Sequence, residues 1–419
     1  MFPNRFQLSQ HRGVTLAILL FPTVMGIFSL SRASEPGNDR SPRDLPPGGM
    51  YVDGVRGSDT AFGDSKRPLK SISAAVALLP DPLTRSVDIY WLGGEYRGTG
   101  SRDMPSSTLE LMRRMRPEAK VRIIGRPDES GNLPVMAWEG GPAMVDVREG
   151  HWALENVQVG SGSTRQRRGV MVTGPGHVTL KDIKFRTRSL SDAGIFAQRG
   201  GKVSLRGAIK LNEHLHDKAD AETFAGIIVE DRGSVQFVER AGASLDMGNG
   251  SLSASYYGVI RLGCETARIT SWGEQSNNLA INNGGRIDLH GTTTTLCARQ
   301  RENTPIGLEH DGHILAEGAR IVIEGENNAA IVLQKASTLA CNDIELRGAF
   351  KTAVAAMSGS MFVGRFLGDI PGLSANTSAS IHIDQLQKNG RVLGPESKAW
   401  RRHFAPRPDR DVGMRCRRT

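Results

Sequence analysis

The chain has 419 residues and a net charge of +9, with 23% charged and 38% hydrophobic residues. These values exclude a disordered chain and a multi-span membrane protein. Aromatic residues supply only 5% of the chain, which excludes a large compact core built on rings, whereas glycine is abundant at 49 residues. Residues 388–419 carry +7 and residues 1–33 carry +3, so the body is nearly neutral and no basic groove for nucleic acid is expected.

Residues 1–33 have the pattern of an export signal. Two arginines precede an apolar run from Val14 to Leu30, and Ser31-Arg32-Ala33 places small residues at the −3 and −1 positions of a cleavage site. The run is close to membrane-spanning length, so an uncleaved anchor is the alternative. We expect cleavage, which gives a secreted or periplasmic chain without a transmembrane segment, beginning with a linker over 34–49.

Two helices are predicted near the start of the mature chain. Apolar residues recur at helical spacing between Ser71 and Leu79, and Pro80 ends the pattern. This short amphipathic helix suits a cap over the first coil of a repeat. A second possible helix, Thr108 to Arg116, lies in an inserted loop. We expect residues 50–136 to form the N-terminal cap and the first coils.

A repeat of short apolar strands extends through residues 137–387. Each opening is Gly or Ala followed by Val, Ile or Leu, and the openings are Gly169, Gly194, Gly226, Gly258, Ala280, Gly307, Ala330 and Ala353. Second and third short strands follow in many units, separated by Gly, Asn and Asp turns. This pattern predicts an all-β fold, a single-stranded parallel β-helix of about eight to ten coils. An antiparallel sandwich is the alternative, but it would not explain the recurring opening.

The cysteines and the C-terminus give two further expectations. Cys264, Cys297, Cys341 and Cys416 lack the spacing of a zinc site or a disulfide framework, and the apolar strand patterns around Cys297 and Cys341 predict buried free thiols. Residues 388–419 are basic and contain proline, so we expect a disordered tail. The folded body is expected to end between residues 376 and 395.

A series of motifs opens the body of the chain. They are Tyr51-Val-Asp-Gly, Gly57-Ser-Asp-Thr, Arg67 to Ala75, Val87 to Arg97 and Val121 to Gly125. This series resembles the N-terminal part of secreted right-handed β-helix proteins of the pectin-lyase-like superfamily. In that superfamily a strand, a Gly-Ser-Asp turn, a capping helix, a strand ending in Gly-x-Tyr and the first full coil follow in this order. The resemblance implies a right-handed β-helix.

The same resemblance implies several possible activities. The superfamily contains polysaccharide lyases, glycoside hydrolases, epimerases, phage tailspikes, adhesins and other exported proteins. The motif series of polygalacturonase-like hydrolases is not present in the sequence: Asp311-Gly-His retains a fragment of one motif, and Arg286-Ile-Asp replaces the basic pair. We therefore expect lyase-like rather than hydrolase-like chemistry if the protein is an enzyme.

Five polar residues form the candidate catalytic site. If each opening strand alternates, its first outward column is Met171, Phe196, Ile228, Ile260, Asn282, Glu309, Val332 and Ala355, which is mostly apolar. Glu309 and Asp311 would then share one face about 6.5–7 Å apart, a spacing that suits a general acid and base or a calcium site. His310 flanks them, Glu230 lies in the equivalent strand three coils earlier, and Arg261 offers a cation. A solvated turn of charged residues is the alternative.

Two other segments carry weaker predictions. His214, His216 and Asp217 lie in an enlarged turn and are candidate metal ligands, although a polar surface loop explains them equally simply. Tyr256 and Tyr257 end the next insertion, where they suit stacking on a sugar or packing of the loop.

These patterns support two hypotheses from different classes. In the first, the exported protein binds or cleaves a polysaccharide or surface glycan as a monomer, with calcium as the candidate cofactor and elimination as the reaction. A cation would neutralise the uronate carboxylate while a Lys, Arg or His removes the C5 proton. In the second, the protein is a non-catalytic surface or periplasmic interaction protein on a stiff β-helix scaffold.

Overall fold

A computed structural model describes residues 45–96, 108–137, 141–161, 167–186, 193–217, 226–272, 277–300, 303–376, 378–388 and 391–393. The predicted export signal, most of the linker and residues 394–419 of the tail lie outside the described residues. Within those residues the chain is almost entirely β, with one helix, Ile72–Ala77, and one 3₁₀ turn, Glu213–Leu215. None of the described helices is long and apolar enough to cross a membrane.

One sheet consists of 11 parallel strands, each paired with the corresponding strand of the next repeat. Its strands are Leu109–Met112, Val145–Glu149, Arg168–Thr173, Ala193–Gln198, Ile227–Val229, Leu252–Ala254, Leu279–Ile281, Ile306–Leu308, Ala329–Leu333, Thr352–Ala356 and Leu373–Ala375. The chain from one of these strands to the next is called a coil below. The first and last strands lack the Gly or Ala opening, so the repeat pattern did not predict them.

The second sheet has 22 strands in two series. The first series is Met50–Val52, Val87–Leu92, Val121–Arg126, His151–Glu155, His177–Lys181, Lys202–Arg206, Ser234–Phe237, Val259–Arg261 and Arg286–Asp288. The second is Gly94–Tyr96, Pro134–Met136, Gln158–Val159, Lys184–Phe185, Ala208–Leu211, Ser244–Met247, Thr266–Ser271 and Thr293–Ala298. Later strands run through both series: His313–Gly325, Thr338–Gly348, Met361–Leu367 and Ser380–Lys388. The last strand, Arg391–Leu393, is antiparallel to Leu386–Lys388 and lies within the segment predicted as tail.

The core consists of aliphatic columns that run from coil to coil. Successive strands pair without offset, so inward side chains of the same position stack on one another. One such column is Ile89, Ile123, Leu154, Leu180, Leu205 and Phe237, all buried. Burial of a side chain of this size contributes about 1.5–3 kcal/mol, so a core with few aromatic rings is sufficient. These stacked parallel sheets are consistent with the predicted parallel β-helix.

The predicted N-terminal helix is present as Ile72–Ala77, and its Ile72, Ala75 and Val76 are buried in the same core. Ser71 begins it, because the Ser71 hydroxyl accepts a hydrogen bond from the Ala74 N–H at 3.1 Å. Three cysteines in the described residues, Cys264, Cys297 and Cys341, are buried free thiols, which confirms the prediction for the last two.

The second predicted helix, Thr108 to Arg116, was wrong. Residues Leu109–Met112 form a strand, in which Leu109 and Leu111 are buried and Glu110 and Met112 are exposed. The apolar spacing fits either period over so short a segment, and pairing with Val145–Glu149 decides for the strand.

A turn with two left-handed residues joins the 11-stranded sheet to the 22-stranded sheet in successive coils. These residue pairs are Arg199-Gly200, Asp231-Arg232, Tyr256-Tyr257, Asn283-Gly284, His310-Asp311, Lys335-Ala336 and Ser358-Gly359, all with positive φ. In the Asp231-Arg232 turn the Gly233 N–H donates to the Glu230 carbonyl at 2.9 Å, which is the geometry of a type I′ turn. In all of these pairs but the last, the second residue donates its N–H to the carbonyl of the first residue of the next pair, as Arg232 does to Tyr256 at 3.1 Å. Gly359 donates instead to the Ser378 hydroxyl at 3.0 Å.

The residue after each pair has little room for a side chain. It is Gly in the coils of Gly201, Gly233, Gly258, Gly285 and Gly312, and Ser in the coils of Ser337 and Ser360. A Cβ at Gly285 would overlap the carbonyl oxygen of Ala254, whereas one at Gly312 would lie 3.0 Å from the carbonyl oxygen and from Cγ2 of Ile281. The space therefore opens towards the C-terminus, where serine occurs naturally.

We predict that Gly285→Ala lowers the free energy of unfolding by about 2–3 kcal/mol, because the new methyl group must displace the Ala254 backbone. Gly312→Ala is the matched control and should cost less than about 1 kcal/mol. Chemical denaturation of both variants measures the difference, and equal losses would show that the crowding at Gly285 does not constrain the turn.

Candidate functional site

The stacked turns bring the predicted polar residues to one edge of the fold. This turn edge comprises Glu230–Arg232, Ser255–Tyr257, Asn282–Gly284, Glu309–Asp311 and Gln334–Ala336, from five successive coils. The inter-coil hydrogen bonds of the turns fix the spacing between them. The edge is consequently a rigid row with one side-chain set per coil.

Glu230 and Glu309 occupy equivalent positions in the register, whereas the sequence had placed them only in equivalent strands three coils apart. The register runs from Val229 through Ala254 and Ile281 to Leu308, so the two glutamates are three coils apart. Three strand spacings amount to about 14 Å, which is beyond the separation of about 5–9.5 Å that paired catalytic carboxylates use. These two side chains therefore do not form an acid–base pair.

Glu309 and Asp311 do not alternate along a strand as expected. The strand ends at Leu308, and His310 and Asp311 are the left-handed pair of the turn, with φ of 47° and 62°. The sequence pattern had placed Asn282 and Glu309 in the column of Ile228, but the register puts Ala280 and Gly307 there. That two-residue offset is the reason the predicted spacing fails.

The turn at Glu309 nevertheless has a charged cluster. His310 lies with Nδ1 3.7 Å from Glu309 Oε2 and Nε2 2.8 Å from Lys335 Nζ in the next coil. His313 Nε2 lies 3.2 Å from Asp311 Oδ1. All five side chains are at least partly exposed, so the cluster is accessible to a ligand.

Arg261 lies elsewhere. The Gly258 opening belongs to the 22-stranded sheet, where Arg261 pairs with Gln236 and Asp288, and Ile260 points into the core. The strand that continues the 11-stranded sheet in this coil is Leu252–Ala254. The cation nearest to His310 is therefore Lys335 rather than Arg261.

Tyr256 and Tyr257 are the most exposed aromatic side chains of the turn edge, at 57% and 68%. Both have a left-handed backbone, with φ of 48° and 64°, which costs about 1–2 kcal/mol for a residue with a Cβ. The Tyr257 ring lies beside Gly284 of the next coil, since a Cβ there would be 2.8 Å from Tyr257 Cε1. Strained residues that expose aromatic surface often mark functional sites.

The apolar outward face is partly covered. Met171 and Phe196 are buried together with Ala143 and Ala193, and the Arg168 guanidinium lies 3.9 Å from the Phe196 ring centroid. This part of the apolar face predicted from the sequence is therefore covered.

The predicted metal ligands His214, His216 and Asp217 do not face a common point. His216 is buried and both ring nitrogens have partners: Nδ1 lies 2.7 Å from Thr270 Oγ1 and Nε2 lies 2.5 Å from Asp246 Oδ1. Asp217 is 92% exposed and lies near Arg299. Across the described ranges no three His, Cys, Asp or Glu side chains are grouped as a metal site would require.

Asp246 connects this buried histidine to a shallow groove of about 320 Å³. The groove lies on the outer face of the second strand series and is lined by Lys210, Ser244, Asp246, Thr266, Arg268 and Thr295, among others. Lys210, Asp246 and Arg268 are in-register neighbours, so the carboxylate lies between two cationic residues. Sequence reasoning missed this groove because its residues are separated along the chain, and the only local signal was the polar alternation of each strand.

No protein-family model matches the chain, and no curated protein or solved structure is significantly similar to it. Function is therefore inferred from the geometry of these surfaces.

We predict that His216→Leu destabilises the protein by about 1–3 kcal/mol, because it leaves the buried Thr270 hydroxyl without its partner and removes a contact of Asp246. His290→Leu is the control, since the His290 side chain is 70% exposed, and its effect should stay within about 0.5 kcal/mol. Urea denaturation measures both, and a loss no larger than that of the control would mean that His216 is not a structural anchor.

Proposed function

We propose that this chain is an exported right-handed parallel β-helix protein, of the type found in the pectin-lyase-like superfamily, that binds a polysaccharide along its turn edge. Its helix Ile72–Ala77 caps the first coil, and the protein acts as a monomer in the periplasm or outside the cell. The observation that carries the proposal is the pair of exposed tyrosines, Tyr256 and Tyr257, held in left-handed conformations between polar turns.

The tyrosine pair has the chemistry that sugar rings require. The apolar face of a pyranose presents C–H groups, which pack on the electron-rich face of an aromatic ring. Asp231 and Arg232 lie one coil before the tyrosines and Asn283 one coil after, so donors and acceptors flank the rings at about 4.8 Å intervals. Sugar hydroxyls would find hydrogen-bond partners on both sides.

The rigidity of the edge also favours binding. The turn backbones are hydrogen-bonded to one another, for example Tyr257 N–H to the Asn283 carbonyl at 3.3 Å and Gly284 N–H to the His310 carbonyl at 3.0 Å. A preorganised surface loses little conformational entropy when a ligand binds. The strain of the tyrosine turns is then compensated by the rest of the stack.

Cleavage by elimination is the second candidate, and the His310–Lys335 contact favours it. Lys335 would neutralise a uronate carboxylate, and the adjacent His310, or Glu309 beside it, would accept the C5 proton. The electron pair left at C5 forms the C4=C5 double bond as the glycosidic C4–O bond breaks, and the leaving oxygen takes a proton from solvent water. The Glu230–Glu309 separation gives no support to hydrolysis by paired carboxylates. Calcium remains a candidate cofactor for this second function.

We predict that Tyr256→Ala/Tyr257→Ala lowers affinity for the polysaccharide selected on a glycan array by at least about tenfold, because the stacking surface is lost. Phe62→Ala is the control, because Phe62 is also exposed, at 42%, but lies near the N-terminus beneath Arg67. Both variants should keep the wild-type unfolding temperature, because the removed rings are exposed and alanine retains the Cβ on which the left-handed strain depends. Unchanged binding by the double tyrosine variant would contradict the proposal.

Lyase activity has its own test. If elimination occurs, a panel of uronic-acid polysaccharides with calcium should yield unsaturated ends, seen by their ultraviolet absorbance, and His310→Gln should reduce the rate at least about hundredfold. Binding without unsaturated product from any member of the panel would leave the binding function and eliminate the lyase.

A further inference from the structure

Four basic side chains form a row across four successive coils, each at or just before the first residue of a strand in the first series. His177 pairs in register with His151 on one side and with Lys202 on the other. Lys120 precedes Val121, which pairs with Trp152, the residue after His151. These four residues, Lys120, His151, His177 and Lys202, form the basic row, which spans about 14 Å at the usual strand spacing.

The two histidines of the row face each other directly. Their rings are parallel within 7° with centroids 4.3 Å apart, and His177 Nε2 lies 2.9 Å from the Ser204 hydroxyl. Stacked imidazoles at this distance cannot both carry a proton without strong repulsion, unless an anion lies against them.

Within the part of the chain that the structure describes, no carboxylate forms an ion pair with this row. Among the described residues, none of the four takes part in an ion pair of the kind that most basic side chains of the two sheets have. Arg286 and His313 occupy the same column, four and five coils after His177. Each has a carboxylate at 3.2 Å, Asp288 for Arg286 and Asp311 for His313. The row is therefore distinguished by its missing counter-charge and not by its position on the strand.

Burial and the neighbouring cations both act on the histidines. Burial, then the charge of Lys120, holds the pKa of His151 below its ordinary value. Burial, then His151 and Lys202, lowers the pKa of His177 to about 4. Both rings are consequently neutral at pH 7 when no ligand is bound, and an adjacent anion would favour their protonation.

Cationic surface continues at both ends of the row. Lys120 lines a cavity of about 510 Å³ together with Arg85 and Arg122, the last of which is paired with Asp88. At the other end, Lys202 follows the turn that contains Arg199, and the next coil begins the turn edge at Glu230. A linear polymer lying along the row would reach the tyrosines of the turn edge two coils beyond Lys202.

We propose that the basic row binds the acidic groups of an anionic polysaccharide, and that the ligand of the turn edge is this same class of polymer. The inference rests on the proposed function for the identity of the polymer as a polysaccharide. A row one side chain wide fits a single-chain polyanion, whereas a nucleic-acid strand would be expected to use aromatic platforms interleaved with the cations. Carboxylate and sulfate groups satisfy the row equally, since both present oxygen atoms to ammonium and imidazolium donors.

Proton uptake by the histidines makes binding dependent on pH. The charged groups that act on the pair are Lys120 and Lys202. A bound anion raises the histidine pKa values, so by linkage the affinity must increase as the pH falls below 6.5. The row thus couples retention of the polymer to acidity.

The test uses the full-length mature protein with polygalacturonate, dextran sulfate and neutral dextran, measured by calorimetry at pH 5 and pH 7.5. Dextran sulfate keeps its charge over this range, so it separates protonation of the protein from that of the ligand. We expect affinity for at least one acidic polymer to be about tenfold higher at pH 5. Which acidic polymer binds identifies carboxylate or sulfate as the preferred group.

His177→Gln/Lys202→Gln should reduce that affinity about tenfold and weaken its pH dependence, which His151 alone would then carry. The control is Arg286→Gln/His290→Gln, which also removes one histidine and one longer cation, each of which already has a carboxylate within 4.0 Å, at Asp288 and Glu317. The control should bind acidic polymer within about twofold of the wild type. Circular dichroism establishes that both variants fold.

Several outcomes would overturn the inference. They are equal affinity for neutral and acidic dextrans, equal loss in the two double variants, pH-independent binding of dextran sulfate, or tighter binding of single-stranded DNA than of either acidic polysaccharide. Loss of binding in Tyr256→Ala/Tyr257→Ala but not in the row variant would reject the row and keep the turn edge. The reverse result would keep the row and reject the turn edge.

The free protein offers an independent readout of the histidine pair. Because the pKa of His177 falls from its ordinary 6.5 to about 4 on folding, the unfolded chain binds a proton that the folded chain does not between these values. We expect the free energy of unfolding to decrease as the pH falls from 6.5 to about 4, and His177→Gln to flatten this slope. Dextran sulfate should restore stability in the wild type, and failure to do so would contradict anion binding at the pair.

Discussion

The left-handed turn between the two sheets is the constraint on which the arrangement of the surface depends. Two successive residues with positive φ reverse the chain, and their N–H and carbonyl groups bond to the same turn in the adjacent coils. The following residue then has almost no room for a Cβ, so glycine occupies it in five coils. Because this geometry repeats, the residues just before and within the turn are aligned along one edge irrespective of the lengths of the loops elsewhere in each coil.

The interior and the surface use this alignment differently. Inside, aliphatic side chains stack in continuous columns, so a chain with only 5% aromatic residues still buries a long core. On the surface, the same stacking sets side chains of adjacent coils side by side. It supports the ion pairs of Arg320 and Arg347 with Glu345 but leaves the rings of His151 and His177 facing each other. Parallel pairing in register therefore creates both neutralised and unneutralised rows from the same backbone.

The sequence was sufficient to predict an all-β chain with repeated parallel strands and one short helix, because alternation and helical spacing are local properties. It was insufficient for register. The opening at Gly258 has the same apolar pattern as the others but belongs to the second sheet, and Ala280 and Gly307 align two residues away from Gly226. Apolar openings occur in both sheets, so they do not say which strand follows which. A pair of left-handed residues followed by glycine marks the turn in five coils, as in Asn283-Gly284-Gly285, and aligning the coils on this turn would have given the correct register.

The candidate site shows the same division. The repeat placed Glu230 and Glu309 in equivalent strands, whereas their equivalent positions and the contact between His310 and Lys335 required the register of adjacent coils. The buried partners of His216, the groove at Asp246 and the stacked histidines join residues 22 to 54 positions apart in the chain. No spacing rule within one coil predicts such contacts, since they depend on which side chains adjacent coils place opposite each other.

The antiparallel strand Arg391–Leu393 has a consequence for self-association. A stack of parallel strands ends in a row of free N–H and carbonyl groups, onto which the first coil of another molecule could add and begin a fibre. Here the chain folds back on its last long strand, so that Leu386 to Lys388 pair on their outer side with Arg391 to Leu393. A second molecule meeting this part of the edge encounters a strand of the opposite direction, which interrupts the parallel register that continued growth would need.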